Sequence, residues 1–366
     1  MVAYPPAPAR ANSAAPSTRI PVGILGATGT VGQAFIAFLE DHPWFEVTWL
    51  GASDRSTGKR YGDATAWRLP GDLPVRIANL TVLGCHPDSD VPRLLFSALD
   101  AAAATDIERA FAQAGHTIVS NARNHRMDRD VPLLIPEINA DHLALLARQH
   151  TSRSWTGQIV TNPNCATVAL AMSLAPLTAF GIRRVMVTTM QALSGAGYPG
   201  VASLDSTANV IPFIAGEEEK LEQEVVKILG SINDAGVTPL AATVSASCNR
   251  VPVVDGHLIS VSVELAESVT EAHLVDAWRQ WRGVPQEMGL PSAPPAPVVY
   301  LDAPDRPQPR RDAGRDRGMT VSVGRLRRCP VLGWKFTALA HNTVRGAAGA
   351  AVLNAELLHA GGWLPG

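Results

Sequence analysis

The sequence has few cysteines and few aromatic residues: four cysteines occur in 366 residues, and Phe, Trp and Tyr together make up 5%. The cysteines are far apart and form no Cys-x-x-Cys pair; they are Cys85, Cys165, Cys248 and Cys329. This spacing argues against a zinc site and a disulfide framework, and it fits a reducing cytosol. None of the ten histidines belongs to a His-Glu-x-x-His or similar metal-binding pair. We therefore expect no bound metal and a cytoplasmic location.

The sequence also lacks an excess of charge of one sign and a long apolar run. The formal net charge of −2 offers no general attraction for nucleic acid or an anionic membrane, so we expect neither as a partner. No apolar run reaches the length of a membrane span. Residues 1–18 lack the apolar core of a signal peptide, and we interpret them as a flexible leader. Hydrophobic residues make up 46% of the chain, and its length predicts about two domains.

A glycine-rich turn follows the first predicted strand, at residues 19–25. The turn reads Gly26-Ala27-Thr28-Gly29-Thr30-Val31-Gly32, and residues 33–39 then carry apolar side chains at helical spacing. In this context glycines let the backbone approach a pyrophosphate, which lies at the helix N-terminus. We therefore predict dinucleotide contacts at Gly26, Thr28, Gly29, Thr30, Val31 and Gly32. The alternative is a tight turn that binds nothing.

The end of the second predicted strand, at residues 46–50, favours NADP over NAD. A site for NAD usually has an acid here that binds the ribose hydroxyls. Ser53, Arg55 and Ser56 instead offer one cation and two hydroxyls, which suit a 2′-phosphate. Asp54 is the exception, and we assume that its side chain points away. The alternative is a solvated loop that does not touch the cofactor.

Two further strands are predicted in the first part of the chain, at residues 93–99 and 117–121. With Ala-rich helices between them, they indicate an α/β fold with a doubly wound parallel sheet. We expect Ser97, Ala98 and Leu99 to lie near the cofactor.

The stretch Asn162-Pro163-Asn164-Cys165 predicts a nucleophile. A short strand at residues 158–160 ends there, because Pro cannot donate to a strand ladder and restricts the residue before it. Asn164 is a good N-cap, and the apolar run that follows predicts a buried helix. Cys165 would lie in its first turn, where free N–H groups and the helix dipole favour a thiolate. The alternative is a small buried cysteine without a catalytic role.

Together these and later motifs resemble aspartate-β-semialdehyde dehydrogenase of the archaeal and fungal type, over about residues 20–358. Ala166, where serine is frequent in that family, and the leader depart from the pattern. Besides the motifs quoted above, the resemblance rests on Ser53-Asp54-Arg55-Ser56-Thr57-Gly58-Lys59, Gln191-Ala192-Leu193-Ser194-Gly195-Ala196-Gly197, Glu217-Glu218-Glu219-Lys220, Arg250-Val251-Pro252-Val253-Val254-Asp255-Gly256-His257, Arg306-Pro307-Gln308-Pro309-Arg310 and His341-Asn342-Thr343-Val344-Arg345-Gly346.

The resemblance implies a Rossmann-type NADP-binding domain of residues 19–160 with 337–366. A catalytic and dimerisation α+β domain would comprise residues 161–336, and the C-terminal helix would pack back on the first domain. The implied reaction is the NADPH-dependent reduction of L-aspartyl 4-phosphate to L-aspartate 4-semialdehyde, with release of phosphate. It belongs to the biosynthesis of lysine, threonine and methionine. A homodimer or homotetramer is implied.

The resemblance also implies roles for single residues. Cys165 would form a thioester, His257 would act as general acid and base, and Gln191 would orient the acyl carbon. The implied substrate-binding residues are Arg250 for the α-carboxylate, Glu217 for the α-ammonium, and Lys220 and Arg126 for the phosphate, with Asn121 nearby. The residues implied to border the nicotinamide are Ser194, Gly195 and Asn342.

Two other functions remain open at this stage. A thioester reductase of the malonyl-CoA reductase type would share Cys165 and His257 but use a CoA thiol in place of phosphate. An NADP-binding sensor without catalysis is the second, although the intact Cys165, Gln191 and His257 argue against it. Glu217 and Lys220 lie three residues apart and could equally form an ordinary surface ion pair. The copy could also serve a specialised pathway.

Overall fold

The computed structural model describes residues 19–88 and 90–364, so the leader predicted at residues 1–18 lies outside the described residues. The strands are β1 Ile20–Leu25, β2 Phe45–Ala52, β3 Val82–Gly84, β4 Leu94–Ser97, β5 Thr117–Ser120, β6 Gln158–Thr161, β7 Ile182–Gln191, β8 Ser231–Asn233, β9 Gly236–Thr238, β10 Thr243–Arg250, β11 His257–Leu265, β12 Val298–Leu301, β13 Val321–Cys329 and β14 Gly333–Ala340. The α-helices are α1 Thr30–Leu39, α2 Tyr61–Ala64, α3 Val75–Ala78, α4 Ala101–Gln113, α5 Pro136–Asn139, α6 Leu145–Arg153, α7 Cys165–Leu174, α8 Ser203–Ser206, α9 Glu217–Ile228, α10 Glu271–Gln280, α11 Val284–Met288, α12 Pro309–Asp312 and α13 Gly349–Ala360.

The first sheet is parallel throughout, with the strand order β3-β2-β1-β4-β5-β6. All residues of β4 and β5 are buried, as expected for strands covered by helices on both faces. The order reverses between β1 and β4, and in such sheets ligands bind at the carboxyl ends of the strands at this switch point. The predicted doubly wound α/β sheet is confirmed.

The second sheet is mixed and follows the order β10-β7-β11-β14-β13-β12. Side chains alternate along β7, where Val185 and Val187 are buried while Met186 and Thr188 are exposed. The buried face packs against α7, which is buried along nearly its whole length because α9 and residues 344–348 also contact it. On the opposite face, the exposed residues of β7, β10 and β11 include Met186, Thr188, Ser247 and Ser260.

The last helix returns to the first part of the chain. The side chains of α13 join those of α1 and the first sheet in one apolar core. A π-helical turn, Val344–Ala348, leads into α13 and contacts both α1 and α7. Strand β14 ends at Ala340, so residues 337–340 lie in the second sheet and the returning segment begins after them.

Candidate active site

The nucleophile turn connects β6 to α7. The Oδ1 atom of Asn164 accepts hydrogen bonds from the backbone N–H groups of Ala166 (2.8 Å) and Thr167 (3.2 Å), so Asn164 caps the helix that Cys165 begins. The Nδ2 atom of Asn162 donates to Asn121 Oδ1 at 2.6 Å, which joins this turn to the end of β5. The turn therefore holds the thiol at the carboxyl edge of the first sheet.

A histidine lies against the thiol. Cys165 Sγ and His257 Nε2 are 3.2 Å apart, and His257 is fully buried at the start of β11. The backbone N–H of Ala192 donates to His257 Nδ1 at 3.1 Å. Since Nδ1 accepts this bond, the proton of the neutral ring is on Nε2 and faces the sulfur.

The surroundings keep this pair neutral. Burial, and then the carboxylate of Glu217, raise the pKa of the Cys165 thiol to about 12. Burial, and then the charge of Arg250, lower the pKa of His257 to about 3. The helix N-terminus was expected to favour a thiolate, but burial has the larger effect on the pKa.

Alternation along two strands places the next two predicted residues on the buried face of the second sheet. Gln191 ends β7 and pairs in register with Arg250, which ends the parallel strand β10. Both are buried, on the face that packs against α7. Arg250 Nη1 donates to the Ala192 carbonyl at 2.7 Å. A Cβ atom on Gly195 would lie 2.9 Å from His257 Cε1 and 3.0 Å from Arg250 Nη1, so only glycine allows this loop to approach so closely.

Helix α9 contributes charged groups from the other side. Glu217 is buried, and its carboxylate accepts from Asn164 Nδ2 (2.8 Å) and Lys220 Nζ (3.1 Å). The Glu217–Lys220 pair is therefore not an ordinary surface ion pair. Arg126 donates to Glu224 through Nη1 at 2.9 Å and to the Asn121 carbonyl through Nη2 at 2.8 Å. Arg126 and Arg250 both lie near enough to lower the pKa of Cys165.

Sequence reasoning missed two residues of this site. A Cβ atom on Gly346, in the π-helical turn, would lie 2.7 Å from Cys165 Cβ, so this glycine lets the turn pack on the nucleophile. Glu224 joins Arg126 to the nucleophile turn. Its spacing of seven residues from Glu217 was the available signal, because such residues share a helix face.

A cavity of about 590 Å³ lies at the carboxyl ends of β1, β2 and β4. The predicted cofactor residues that line it are Gly26, Thr28, Gly29, Ser53, Arg55, Ala98 and Leu99. Asp54, between Ser53 and Arg55, also lines the cavity. Gly29 provides no side-chain cap to α1, which leaves the first N–H groups of Thr30 and Val31 available for an anion.

The remaining cofactor predictions fall into three groups. A Cβ atom on Gly32 would lie 2.5 Å from the Gly26 carbonyl, so Gly32 permits close packing between helix and strand. Asn342 Nδ2 donates to Ser194 Oγ at 2.8 Å, which joins two loops of the catalytic region. Ser97 is fully buried at the end of β4, and Ser56 belongs to a turn in which its N–H donates to the Ser53 carbonyl at 2.8 Å. The glycines, the open helix end and Arg55 fit a dinucleotide phosphate.

Among residues 19–88 and 90–364, no three His, Cys, Asp or Glu side chains lie together as metal ligands would. No helix among them is both long and apolar enough to span a membrane.

A thiol paired with an imidazole, beside a parallel sheet with a dinucleotide cavity, defines an oxidoreductase with a cysteine nucleophile. The chain matches the family models "Semialdehyde dehydrogenase, NAD binding domain" over residues 21–146 and "Semialdehyde dehydrogenase, dimerisation domain" over residues 174–345. Aspartate-semialdehyde dehydrogenase of Archaeoglobus fulgidus is 47% identical over 340 residues, covering 93% of this chain and 98% of the relative. That of Schizosaccharomyces pombe is 48% identical over 345 residues, covering 92% and 97%. The chain belongs to the aspartate-semialdehyde dehydrogenase family.

Solved structures agree with this assignment. The Candida albicans enzyme, crystallised with NADP, has a TM-score of 0.87 and 41% identity, with coverage of 94% of this chain and 99% of that one. Aspartate semialdehyde dehydrogenase II of Vibrio cholerae, complexed with ASA, has a TM-score of 0.75 and 27% identity, with coverage of 94% and 99%. The predicted family and fold are thus confirmed.

Proposed function

We propose that this chain reduces L-aspartyl 4-phosphate to L-aspartate 4-semialdehyde with NADPH and releases phosphate. The proposal rests above all on one observation, the 3.2 Å contact between Cys165 Sγ and His257 Nε2 at the start of a helix. It assigns the chain to the biosynthesis of lysine, threonine and methionine. The four cysteines are unpaired, which supports a reducing compartment and hence the cytoplasm.

The cofactor would lie in the cavity at the first sheet. NADPH, when bound, supplies the hydride that reduces the thioester. The open N-terminus of α1 and the glycines before it would bind the pyrophosphate. Arg55, which is exposed at the end of β2, would bind the 2′-phosphate together with Ser53 and Ser56.

Cys165 would carry the acyl group. Its sulfur attacks the acyl carbon, a C–S bond forms, and the bond from the acyl carbon to the phosphate oxygen breaks. After reduction, the C–S bond breaks and the aldehyde leaves. Gln191, buried at the end of β7 and paired in register with Arg250, would orient the acyl group.

His257 would exchange protons with the sulfur and the substrate oxygen. In the tautomer set by Ala192, Nε2–H donates a hydrogen bond towards these atoms. To accept the thiol proton at Nε2, the ring must carry a proton on Nδ1, and the contact with the Ala192 N–H must break. General base catalysis by His257 therefore requires a small movement of the ring or of the loop.

The substrate would lie between charged groups at its two ends. Arg250 would bind the α-carboxylate and Glu217 the α-ammonium. Arg126 and Lys220 would bind the phosphate, with Asn121 beside them. Two ion pairs with α9 support this assignment. Glu224 holds Arg126, whose charge acts on Cys165, and Lys220 is paired with Glu217, whose carboxylate also acts on Cys165.

The test is the reverse reaction, in which L-aspartate 4-semialdehyde reduces NADP only when an acceptor releases the acyl group from Cys165. We expect a strict requirement for inorganic phosphate and no turnover in Cys165→Ala. Cys329→Ala, at the far end of the second sheet, is the matched control and should keep its activity. Faster turnover with CoA than with phosphate would instead identify a thioester reductase.

We also infer that the open face of the second sheet forms a contact between copies of the chain. Met186, Thr188, Ser247 and Ser260 are exposed on neighbouring strands of this face. Met186→Glu with Ser260→Glu should therefore lower the molar mass measured by sedimentation equilibrium, and an unchanged mass would place the contact elsewhere. The same measurement on the unsubstituted chain distinguishes a dimer from a tetramer.

A further inference from the structure

Four charged side chains follow one face of helix α9. Glu217, Lys220, Glu224 and Lys227 are spaced by three, four and three residues, which places them in a single stripe. Glu217 and Lys220 have proposed substrate roles. Glu224 and Lys227 are both buried, and the proposed reaction gives them no part.

Glu224 connects two segments that approach the thiol from different strands. Its Oε1 atom accepts from Arg126 Nη1 at 2.9 Å, and its Oε2 atom accepts from the backbone N–H of Asn164 at 2.6 Å. Arg126 lies in the loop after β5, whereas Asn164 caps the helix that begins with Cys165. One carboxylate thus holds both the predicted phosphate-binding cation and the residue before the nucleophile.

The side chain of Lys227 binds the backbone of the same loop. Its Nζ atom donates to the carbonyls of Arg126 (2.6 Å), Asp128 (2.9 Å) and Val131 (3.2 Å). The loop that carries Arg126 is therefore bound to α9 by both its side chain and its main chain. Arg126 has little freedom to move independently of the helix, and Glu224 transmits its position to Asn164.

We propose that Glu224 is a positioning residue for the reaction, setting the distance between the phosphate bound by Arg126 and the sulfur of Cys165. This inference rests on the proposed function, which assigns Arg126 to phosphate. A carboxylate is required because two donors, one charged, point at its two oxygen atoms. An amide has only one accepting oxygen. In either orientation that oxygen can accept from one of the two donors, and the NH₂ group of the amide then faces the other donor.

Two substitutions separate position from charge. Glu224→Gln keeps the length and removes the charge, whereas Glu224→Asp keeps the charge but is one methylene too short to reach both donors. If position matters, both variants should lower kcat for phosphate-dependent oxidation of the semialdehyde by about tenfold or more. The KM for the semialdehyde should stay within about twofold, because Arg250 at the other end of the substrate makes no contact with Glu224.

The matched control is Glu222→Gln, on the same helix. Glu222 Oε1 also accepts a backbone N–H, from Ala246 at 2.9 Å, but it ties α9 to β10 and not to Arg126. This variant should keep kcat and both KM values within about twofold. All variants also carry Cys329→Ala, which removes the competing thiol. Rates are expressed per Cys165 thiol titrated in the folded protein, so loss of folded material does not count as loss of kcat.

Each outcome decides the inference. If kcat per thiol is unchanged in both variants while only their thermal stability falls, Glu224 is structural and the inference is wrong. If Glu224→Asp retains full kcat and Glu224→Gln does not, charge and not position is what matters, and the inference is equally wrong. If the unsubstituted chain shows no requirement for phosphate, the proposed function itself is wrong. If only the Glu224 variants behave contrary to expectation, the inference about Glu224 is wrong and the proposed function stands.

Discussion

Individual residues set the chemistry through their burial. Cys165 lies at a helix N-terminus, yet burial and the carboxylate of Glu217 raise its pKa to about 12. The Ala192 N–H on His257 Nδ1 disfavours an imidazolium ring, which would place two N–H groups face to face. A thiolate–imidazolium pair is therefore not the stable form of Cys165 and His257 here.

This predicts the pH dependence of thiol alkylation. Because the thiol is mostly protonated below its raised pKa, the rate of inactivation by iodoacetamide without substrate should rise about tenfold per pH unit from pH 7 to 9, with no plateau. The measurement is best made in Cys329→Ala. Some burial raises the pKa of the Cys329 thiol, but neighbouring hydrogen bonds lower it further, so the net pKa is below its ordinary value. The Cys329 thiol would therefore compete with Cys165 for the reagent. A plateau reached below pH 8 would show that the pair is ionic.

A second prediction concerns the cofactor. Arg55→Ala should raise the KM for NADP about tenfold or more and leave that for NAD unchanged, because a hydrogen bond to a charged group contributes about 1.5–3 kcal/mol. Asp54→Asn should act in the opposite direction, since Asp54 lines the same cavity between Ser53 and Arg55 and its negative charge would repel a 2′-phosphate. Steady-state kinetics with both cofactors test this. Equal constants for NADP and NAD in the unsubstituted chain contradict the assignment.

Helices and strands position these residues, and the N-cap of α7 contributes both to the stability of the fold and to the placement of Cys165. Asn164→Ala removes the acceptor of two backbone N–H groups and should lower the free energy of unfolding by about 1 kcal/mol. It should also reduce kcat, because Cys165 is the next residue. Thr270→Ala is the control: it removes the N-cap of α10, where the Thr270 hydroxyl accepts from the His273 N–H at 3.3 Å. In Thr270→Ala, denaturant unfolding should show a similar loss in the free energy of unfolding, and activity should persist. Equal activity in the two variants would contradict the positioning role of Asn164.

Local sequence signals predict some elements and not others. The strand, glycine turn and helix at residues 20–39 follow from spacing alone, and so does the Asn-Pro-Asn turn before Cys165. Residues 291–317 are rich in Pro, Arg and Asp, a composition typical of a loop. Strand β12 within them has no local signal, because its four residues gain their order by pairing with β13. The π-helical turn at Gly346 was missed as well, since tertiary contact with Cys165 and not local propensity selects it.

Across the whole molecule, one buried carboxylate joins distant segments. Glu356 of α13 is fully buried, and its carboxylate accepts from His42 Nε2 at 2.7 Å and from the backbone N–H of Ser292. His42 Nδ1 in turn accepts the N–H groups of Trp44 (3.1 Å) and Phe45 (3.0 Å). Separations of 314 and 64 residues in sequence explain why no local pattern could predict this contact.

Glu356→Ala should therefore destabilise the fold strongly. Removing the carboxylate leaves two buried donors, His42 Nε2–H and the Ser292 N–H, without an acceptor, and each costs about 1–3 kcal/mol. Asp302→Ala breaks the exposed pair with Arg279 and should cost at most about 1 kcal/mol. Denaturant unfolding of both variants gives the comparison, and similar losses in the two would contradict the importance of burial.

Helix α13 also imposes an order on how the protein is made. The domain whose first strand begins at Ile20 needs Val352, Leu353 and Leu358 to complete its core, and these residues are translated after the whole second sheet. The strands of the second sheet can therefore pair before α13 is made. Of the two domains, the one that is translated earlier is thus completed later, and a ribosome stalled after Ala340 would carry a nascent chain with an open apolar cleft.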